Sequence, residues 1–119
     1  MNVFLVEDAP LLRERLTALI ESVGAITVGH AEGAREAIDG ILAARPDVVV
    51  LDLHLKEGNG FDVLRAVARE APEIALFVLT NHPVESFRAV ATRLGARGFF
   101  DKSTEFEKLR DVLAARLCV

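Results

Sequence analysis

Short apolar runs alternate with longer segments of helical periodicity along the whole chain, and this alternation restricts the possible folds more than any other feature. The apolar runs are rich in β-branched and large aliphatic residues, which predicts strands at 2–6, 25–31, 48–53, 75–79 and 97–101. The intervening and final segments carry apolar residues at helical spacing, which predicts helices at 10–23, 34–44, 61–70, 84–94 and 104–117.

The strand patterns predict how these elements are arranged. Runs such as VVVL, at 48–51, are apolar on both faces, which is typical of a parallel sheet covered by helices on both sides. Right-handed crossovers then give a doubly wound, three-layer α/β sandwich. A chain of 119 residues fits one domain, 1–119, and no linker or low-complexity tract interrupts it.

Composition excludes several classes of protein. Hydrophobic residues make up 51% and charged residues 27%, which is unlike a disordered chain. The net charge of −4 argues against direct nucleic-acid binding. No apolar run could span a membrane and the first residues do not resemble a signal peptide, so we expect a cytoplasmic protein. The single cysteine, Cys118, cannot form an internal disulfide, and we expect it to pack or be exposed.

Polar side chains follow four of the predicted strands. They are Glu7, Asp8, Asp52, Thr80 and Lys102. Because the carboxyl ends of parallel strands meet at one edge, we expect these side chains to share a ligand site. Three neighbouring carboxylates repel one another unless their pKa values rise or a cation neutralises them, and Mg2+ prefers such oxygen ligands.

The residue types at this edge suit phosphoryl chemistry. Asp52, the acid on a central strand, is the best placed nucleophile toward phosphorus, and the product would be an acyl phosphate. Lys102 offers a compact positive charge, and Thr80 a hydroxyl donor, to a phosphoryl group. Each residue also has an ordinary interpretation: Asp8 as a helix cap, Thr80 as a structural residue and Lys102 as a surface charge. Their coincidence at one edge favours a site.

Five motifs carry a resemblance that covers essentially the whole chain. They are VED at 6–8, VVLDLHL at 49–55, GNGFDVL at 58–64, VLTN at 78–81 and GARGFFDKS at 95–103. With them the sequence resembles the receiver domain of two-component response regulators. The resemblance implies a flavodoxin-like fold with strand order 2-1-3-4-5. The segment KSTEFEKL, at 102–109, is more similar to stand-alone receivers than to DNA-binding regulators, so we expect the stand-alone type.

The resemblance also implies roles for the polar residues. Asp52 would be phosphorylated, and Asp8, Asp52 and the backbone carbonyl of His54 would bind Mg2+, with Glu7 acting through water. Thr80 and Lys102 would contact the phosphoryl group. By the same resemblance, Phe99 would be the switch aromatic, which turns inward when Thr80 moves, and Gly60 would shape the loop after Asp52.

The partners follow from the same resemblance. The phosphoryl group would come from a phosphohistidine on a sensor histidine kinase or a histidine phosphotransfer protein. Phosphorylation would then change a surface at 84–117, made by the fourth helix, fifth strand and fifth helix. That surface would contact a downstream protein target or output domain, or form a homodimer. No membrane or nucleic acid would be bound, and the domain would be a switch, not an enzyme.

Several residues depart from the family pattern. Lys56 replaces a common proline, which predicts a less rigid loop, and Ser103 replaces the proline after the lysine, which makes a cis bond there costly. Phe99 lacks the hydroxyl of tyrosine, so we expect packing alone to hold it inward. We expect three residues to tune the access of water to Asp52: His54, Asn81 and His82. The alternative for the two histidines is that they are ordinary, exposed loop residues.

Two other classes of function stay open. A receiver-like interaction module that is never phosphorylated would usually lack the complete set of Asp8, Asp52, Thr80 and Lys102. An aspartate-nucleophile phosphatase generally needs a second aspartate two positions after the first, where this chain has His54. A nucleotide or flavin site is disfavoured because EDAP, at 7–10, is acidic where a phosphate site needs glycines. A zinc site built from His54, His82 and the acids is a further, weaker alternative.

Overall fold

The computed structural model describes residues 1–117, so the prediction for Cys118 lies outside the described residues. Five strands alternate with five helices in this range. The strands are β1 Asn2–Val6, β2 Ile26–Ala31, β3 Val48–Leu51, β4 Ala75–Thr80 and β5 Ala96–Asp101. The helices are α1 Pro10–Ser22, α2 Ala34–Ala44, α3 Gly60–Glu70, α4 Glu85–Arg93 and α5 Phe106–Leu117.

The five strands form one parallel sheet with the order β2-β1-β3-β4-β5, so the predicted fold class is confirmed. The register aligns the ends of the central strands: Val6 pairs with Leu51, and Leu51 pairs with Val78. This alignment brings the residues that follow β1 and β3 to the same edge as the end of β4.

Apolar side chains form a separate core on each side of the sheet. One core packs α2, α3 and α4 against the sheet, and the other packs α1 and α5 against the opposite face. The run VVVL serves both cores: Val49 and Leu51 belong to the first, and Val48 and Val50 to the second. All four side chains are at most 1% exposed, as expected for a central strand covered on both faces.

The boundaries of some elements differ from the prediction. β3 ends at Leu51, so the prediction of a strand over 48–53 is wrong at its end and Asp52 lies beyond the strand. The backbone there turns toward α3, because the Gly60 N–H donates to the Leu53 carbonyl at 2.9 Å. A Cβ at Gly60 would collide with the Asp52 carbonyl oxygen and approach Leu53 Cα to 2.8 Å. Gly60 is therefore the residue that lets this turn close.

The last helix begins at Phe106, two residues later than predicted. The intervening residues form a turn in which Asp101 Oδ1 accepts hydrogen bonds from the N–H and the hydroxyl of Ser103, at 2.8 and 2.7 Å. The Glu105 carboxylate in turn accepts from the Asp101 N–H at 3.0 Å. Short polar side chains that bond to nearby backbone groups stabilise a turn in competition with a helix. This explains why α5 begins two residues later than predicted.

No helix within residues 1–117 is both long enough and apolar enough to cross a membrane.

Candidate functional site

Three polar side chains are buried in the described part of the chain, and all three lie at the carboxyl edge of the sheet. Glu7 is 2% exposed, Asp52 is 6% exposed and Thr80 is fully buried. Glu7 and Asp52 immediately follow β1 and β3, and Thr80 is the last residue of β4. Burying a charged group costs free energy unless a partner compensates, so this edge requires a cation.

Lys102 supplies that cation. Its Nζ lies 2.7 Å from Glu7 Oε1 and 2.8 Å from Asp52 Oδ2, and its side chain is only 9% exposed. The backbone fixes its position, because the Lys102 N–H donates to the Thr80 carbonyl at 3.0 Å and so extends the pairing of β4 with β5. The predicted convergence of Glu7, Asp52, Thr80 and Lys102 is therefore what the structure has.

The pKa shifts follow from burial and from these pairs. Burial raises the pKa of Glu7, and the hydrogen bonds from Lys102 and Ala9 only partly oppose it. Burial alone would lower the pKa of Lys102, but its pairs with Asp52 and Glu7 outweigh that effect and raise the pKa. Lys102 is consequently charged at neutral pH. For Glu7, burial makes the ionised form less favourable than it is in water.

The acids at this edge have the spacing of a metal site. Glu7, Asp8 and Asp52 each offer a carboxylate oxygen, and these oxygens lie within 4.8 Å of one another. Three carboxylates and one lysine leave an excess of negative charge, and hard oxygen donors suit Mg2+. The donor set therefore fits the predicted ion. The Asp52 Oδ1 accepts from the His54 N–H at 3.3 Å, while a role for the His54 carbonyl stays a prediction.

The two switch candidates, Thr80 and Phe99, are both buried. Thr80 Oγ1 accepts a hydrogen bond from the His82 N–H at 3.2 Å. The Phe99 side chain is 6% exposed and belongs to the core beneath α4, so this structure has the aromatic ring inward. The expectation that packing alone holds the ring is wrong, because the guanidinium of Arg88 stacks on it at 4.8 Å.

Comparison with known sequences decides the family. The model of the family described as "Response regulator receiver domain" matches residues 3–114, which is nearly the whole chain. The chain belongs to this receiver domain family.

Individual relatives of this receiver domain include proteins much longer than this chain and one of nearly the same length. DNA-binding transcriptional activator DevR/DosR of Mycobacterium tuberculosis is 33% identical, over 98% of this chain and 56% of its own length. Chemotaxis protein CheY of Thermotoga maritima is 26% identical, over 94% of this chain and 93% of its own. The chain thus spans about half the length of DevR/DosR, and only 23% of Regulatory protein LuxO of Vibrio cholerae.

Solved structures agree with the fold of this receiver domain. A two-component response regulator of the LuxR family from Aurantimonas sp. SI85-9A1 superposes with a TM-score of 0.90 at 30% identity, covering 98% of this chain and 84% of that one. The response regulator domain of Thermotoga maritima CheB superposes with a TM-score of 0.85 over 98% of this chain and 92% of that one. At 24% identity, the second comparison supports the fold alone.

The residues predicted to tune access lie on the loops of the receiver domain and not among its buried acids. His54, Asn81 and His82 are all exposed. The rings of His54 and His82 meet edge to face with centroids 4.3 Å apart, and His54 also lies 6.2 Å from the Phe87 ring. Within residues 1–117, the cluster with metal-ligand spacing contains the three acids and neither histidine, so the zinc alternative is not supported.

The departures at Lys56 and Ser103 have structural consequences. The Lys56 N–H donates to the Glu32 carbonyl at 3.2 Å, and the adjacent Glu57 carbonyl accepts from Ala34 at 2.8 Å. Proline could not donate the first of these bonds, so the loop is tied to the start of α2 where we expected a less rigid one. The residues described include no cis peptide bond, and the Lys102–Ser103 bond is therefore trans.

Sequence reasoning missed two arginines, one that bonds the backbone of Glu7 and one that contacts Phe99. Arg13 on α1 donates from Nη1 to the Glu7 carbonyl at 3.0 Å, and so helps to fix the backbone of Glu7. Arg88 on α4 contacts Phe99. Both belong to amphipathic helices, where a surface arginine is ordinary, and neither is part of a short motif. Only the packing of the helix against the sheet reveals their contacts.

Proposed function

We propose that Asp52 accepts a phosphoryl group from a phosphohistidine, on a sensor histidine kinase or a histidine phosphotransfer protein, in a reaction that needs Mg2+. The observation that carries this proposal is the buried pairing of Asp52 with Lys102 at 2.8 Å beside Glu7 and Asp8. Response regulator receiver domains are phosphoacceptor switches as a family. The resemblance of VVLDLHL, at 49–55, to the family's phosphoacceptor motif supports Asp52 as the acid that accepts the group.

In the proposed transfer, Asp52 is the nucleophile, and the residues around it stabilise the charge on the phosphoryl group. An Asp52 carboxylate oxygen forms a bond to phosphorus while the P–N bond to histidine breaks and the histidine nitrogen retains the electron pair. Asp52, Asp8 and the His54 carbonyl would hold Mg2+, with Glu7 acting through water, and the ion would neutralise charge on the phosphoryl oxygens. Lys102 Nζ, already placed at Asp52, would pair with the phosphoryl group and stabilise the same charge.

The output would be a change in a protein surface. The Thr80 hydroxyl would leave the His82 N–H and bond the phosphoryl group, and Phe99 would occupy its inward position beneath α4. The surface formed by α4, β5 and α5 would then favour a downstream target, an output domain or a second copy of the chain. A domain with this role would act as a cytoplasmic switch and would not turn over a small substrate.

The two alternatives fit the site less well. A receiver-like module without phosphorylation has no need to bury Glu7 and Asp52 around Lys102, which costs desolvation free energy. An aspartate-nucleophile phosphatase would need an acid where the exposed His54 lies.

Beryllofluoride, which mimics a phosphoryl group on aspartate, provides the test. Amide NMR spectra would be recorded with Mg2+ alone and with Mg2+ plus beryllofluoride, for the natural chain, for Asp52→Asn and for the matched control Asp62→Asn. Asp62 is an exposed acid in the first turn of α3. We expect beryllofluoride to shift resonances near Asp52 and across α4, β5 and α5 in the natural chain and in Asp62→Asn, but not in Asp52→Asn.

Unchanged spectra in the natural chain, or an equal response in Asp52→Asn, would contradict the proposal. Hydrolysis of small phosphate esters at a catalytic rate would favour the phosphatase instead.

A further inference from the structure

Phe99 is held by more than the apolar core. Its ring belongs to the same core cluster as the fully buried Ala91 of α4, and it has no hydroxyl with which to anchor itself. Without a specific contact, the inward position of a phenylalanine depends only on the apolar area it buries. A polar residue that fixes the ring would therefore decide how firmly Phe99 stays inward.

Arg88 contacts both the ring and the backbone of Phe99. Its Cζ lies 4.8 Å from the ring centroid, within the range of a cation–π interaction. Its Nη1 donates to the Phe99 carbonyl at 3.2 Å. The carbonyl bond fixes the guanidinium plane over the ring, so the ring cannot turn outward without losing the cation–π contact. One side chain of α4 thus covers the residue of β5 whose inward position the proposed switch uses.

The same guanidinium also has a partner within α4 and acts electrostatically toward the turn that precedes α5. Within α4, its Nε lies 3.6 Å from Glu85 Oε2. In the turn before α5, the hydrogen bond from Lys108 is the main cause that lowers the pKa of Glu105, and the charge of Arg88 adds a small contribution. Glu105 also accepts the Asp101 N–H at the end of β5. Arg88 therefore links α4 to β5 by direct contacts, and its charge acts on the turn at Glu105.

We propose that Arg88 is a positioning residue that holds Phe99 inward and couples the position of its ring to α4. The consequence of this role for signalling rests on the proposed function. The geometric part, that Arg88 fixes the ring, applies to the unphosphorylated chain and can be tested without any phosphoryl group. Loss of the guanidinium should raise the ratio of outward to inward rings about two- to fivefold, the size of an exposed cation–π contact.

The test combines two substitutions and a matched control. Arg88→Ala removes both contacts, and Arg88→Lys keeps the charge but loses the planar fork that bonds the carbonyl while stacking. Arg93→Ala removes an exposed arginine from the last turn of the same helix. Phenylalanine ring resonances of the unphosphorylated proteins would be recorded, with Phe99 assigned through Phe99→Leu, and thermal unfolding would be measured alongside.

We expect the Phe99 ring signals to move toward solvent-exposed values in Arg88→Ala, to move less in Arg88→Lys, and to stay unchanged in Arg93→Ala. Equal ring signals in Arg88→Ala and the natural chain would overturn the proposal. If Arg88→Ala does not fold, Arg88→Lys decides the matter: a partial shift supports the proposal, and an unchanged ring contradicts it.

A second measurement separates this proposal from the proposed function. The variants would be treated with acetyl phosphate and Mg2+, and modification of Asp52 and the response of α4 and β5 resonances would be followed. We expect Arg88→Ala to be phosphorylated like the natural chain but to show a weaker response in α4. A natural chain that is not phosphorylated would contradict the proposed function, whereas the ring measurement would still decide the role of Arg88.

Discussion

Two groups of polar residues meet at the carboxyl edge of the sheet, and they are held in different ways. Glu7, Asp52 and Lys102 are buried and joined by contacts of 2.7 and 2.8 Å. His54 and His82 lie on the next loops, are exposed and contact each other through their rings. Residues next to paired strands have positions fixed by the register of the sheet, while loop residues do not. We therefore expect the buried group to control stability and the histidines to control access.

The largest effect should come from removing the cation of the buried group. Lys102→Met leaves Glu7 and Asp52 buried without their shared partner, which should lower the free energy of unfolding by about 3–5 kcal/mol at neutral pH. Urea unfolding without Mg2+ would measure it. The control Lys108→Met removes an exposed pair with Glu105 and should cost less than about 1 kcal/mol. Equal losses of unfolding free energy in the two variants would contradict the expected difference between the buried and the exposed ion pairs.

A smaller loss of stability is expected from the turn that places Asp52. In Gly60→Ala the new methyl group would collide with the Asp52 carbonyl, which should cost about 1–3 kcal/mol and displace the acid. In the control Gly33→Ala, the methyl group would meet the Glu57 side chain at 3.1 Å, where movement is easier. Urea unfolding and Mg2+ titration would be compared. A Gly60→Ala protein with natural stability and Mg2+ affinity would show that the turn does not constrain Asp52.

The exposed histidines should affect the lifetime of the phosphoryl group on Asp52, and not the stability of the fold. His54→Ala and His82→Ala should each change the free energy of unfolding by about 0.5 kcal/mol or less, because neither ring is buried. If the paired rings limit the access of water, each variant should shorten the lifetime of phosphorylated Asp52, measured as the decay of the phosphorylated mass. If phosphorylated Asp52 decays in both variants as slowly as in the natural chain, the two histidines are ordinary loop residues.

The smallest effect concerns the turn after β5. The hydroxyl and N–H of Ser103 lower the pKa of Asp101 below its ordinary value of 3.8. A lowered pKa in the folded state stabilises the fold above pH 3.8, and this contribution is lost as the pH falls through the folded pKa. Ser103→Ala keeps the N–H donor, so the pKa should rise only part of the way. Ser103→Pro removes both donors and should raise it further.

Carboxyl NMR titration of Asp101 would measure these shifts. An unchanged pKa in both variants would mean that Ser103 does not stabilise the turn.

The sheet and its order could be predicted because hydrophobic periodicity and a family resemblance agree over most of the chain. Convergence of Glu7, Asp52 and Lys102 followed from the rule that parallel strands end at one edge, although their chemical roles stay predictions. The end of β3 could not be predicted, because Leu53 continues the apolar pattern while the bond between Gly60 and Leu53 turns the backbone. The contact of Arg88 with Phe99 depends on the packing of α4, which periodicity does not specify.

Phosphorylation of Asp52 is the central claim, and tandem mass spectrometry tests it most directly. The chain would be incubated with acetyl phosphate in the presence and absence of Mg2+, and the modified residue would be located in the natural chain and in Asp52→Asn. We predict one added phosphoryl group, located on Asp52, dependent on Mg2+ and absent from Asp52→Asn. A natural chain that stays unmodified with Mg2+ present, or a phosphoryl group on any other residue, would contradict the account.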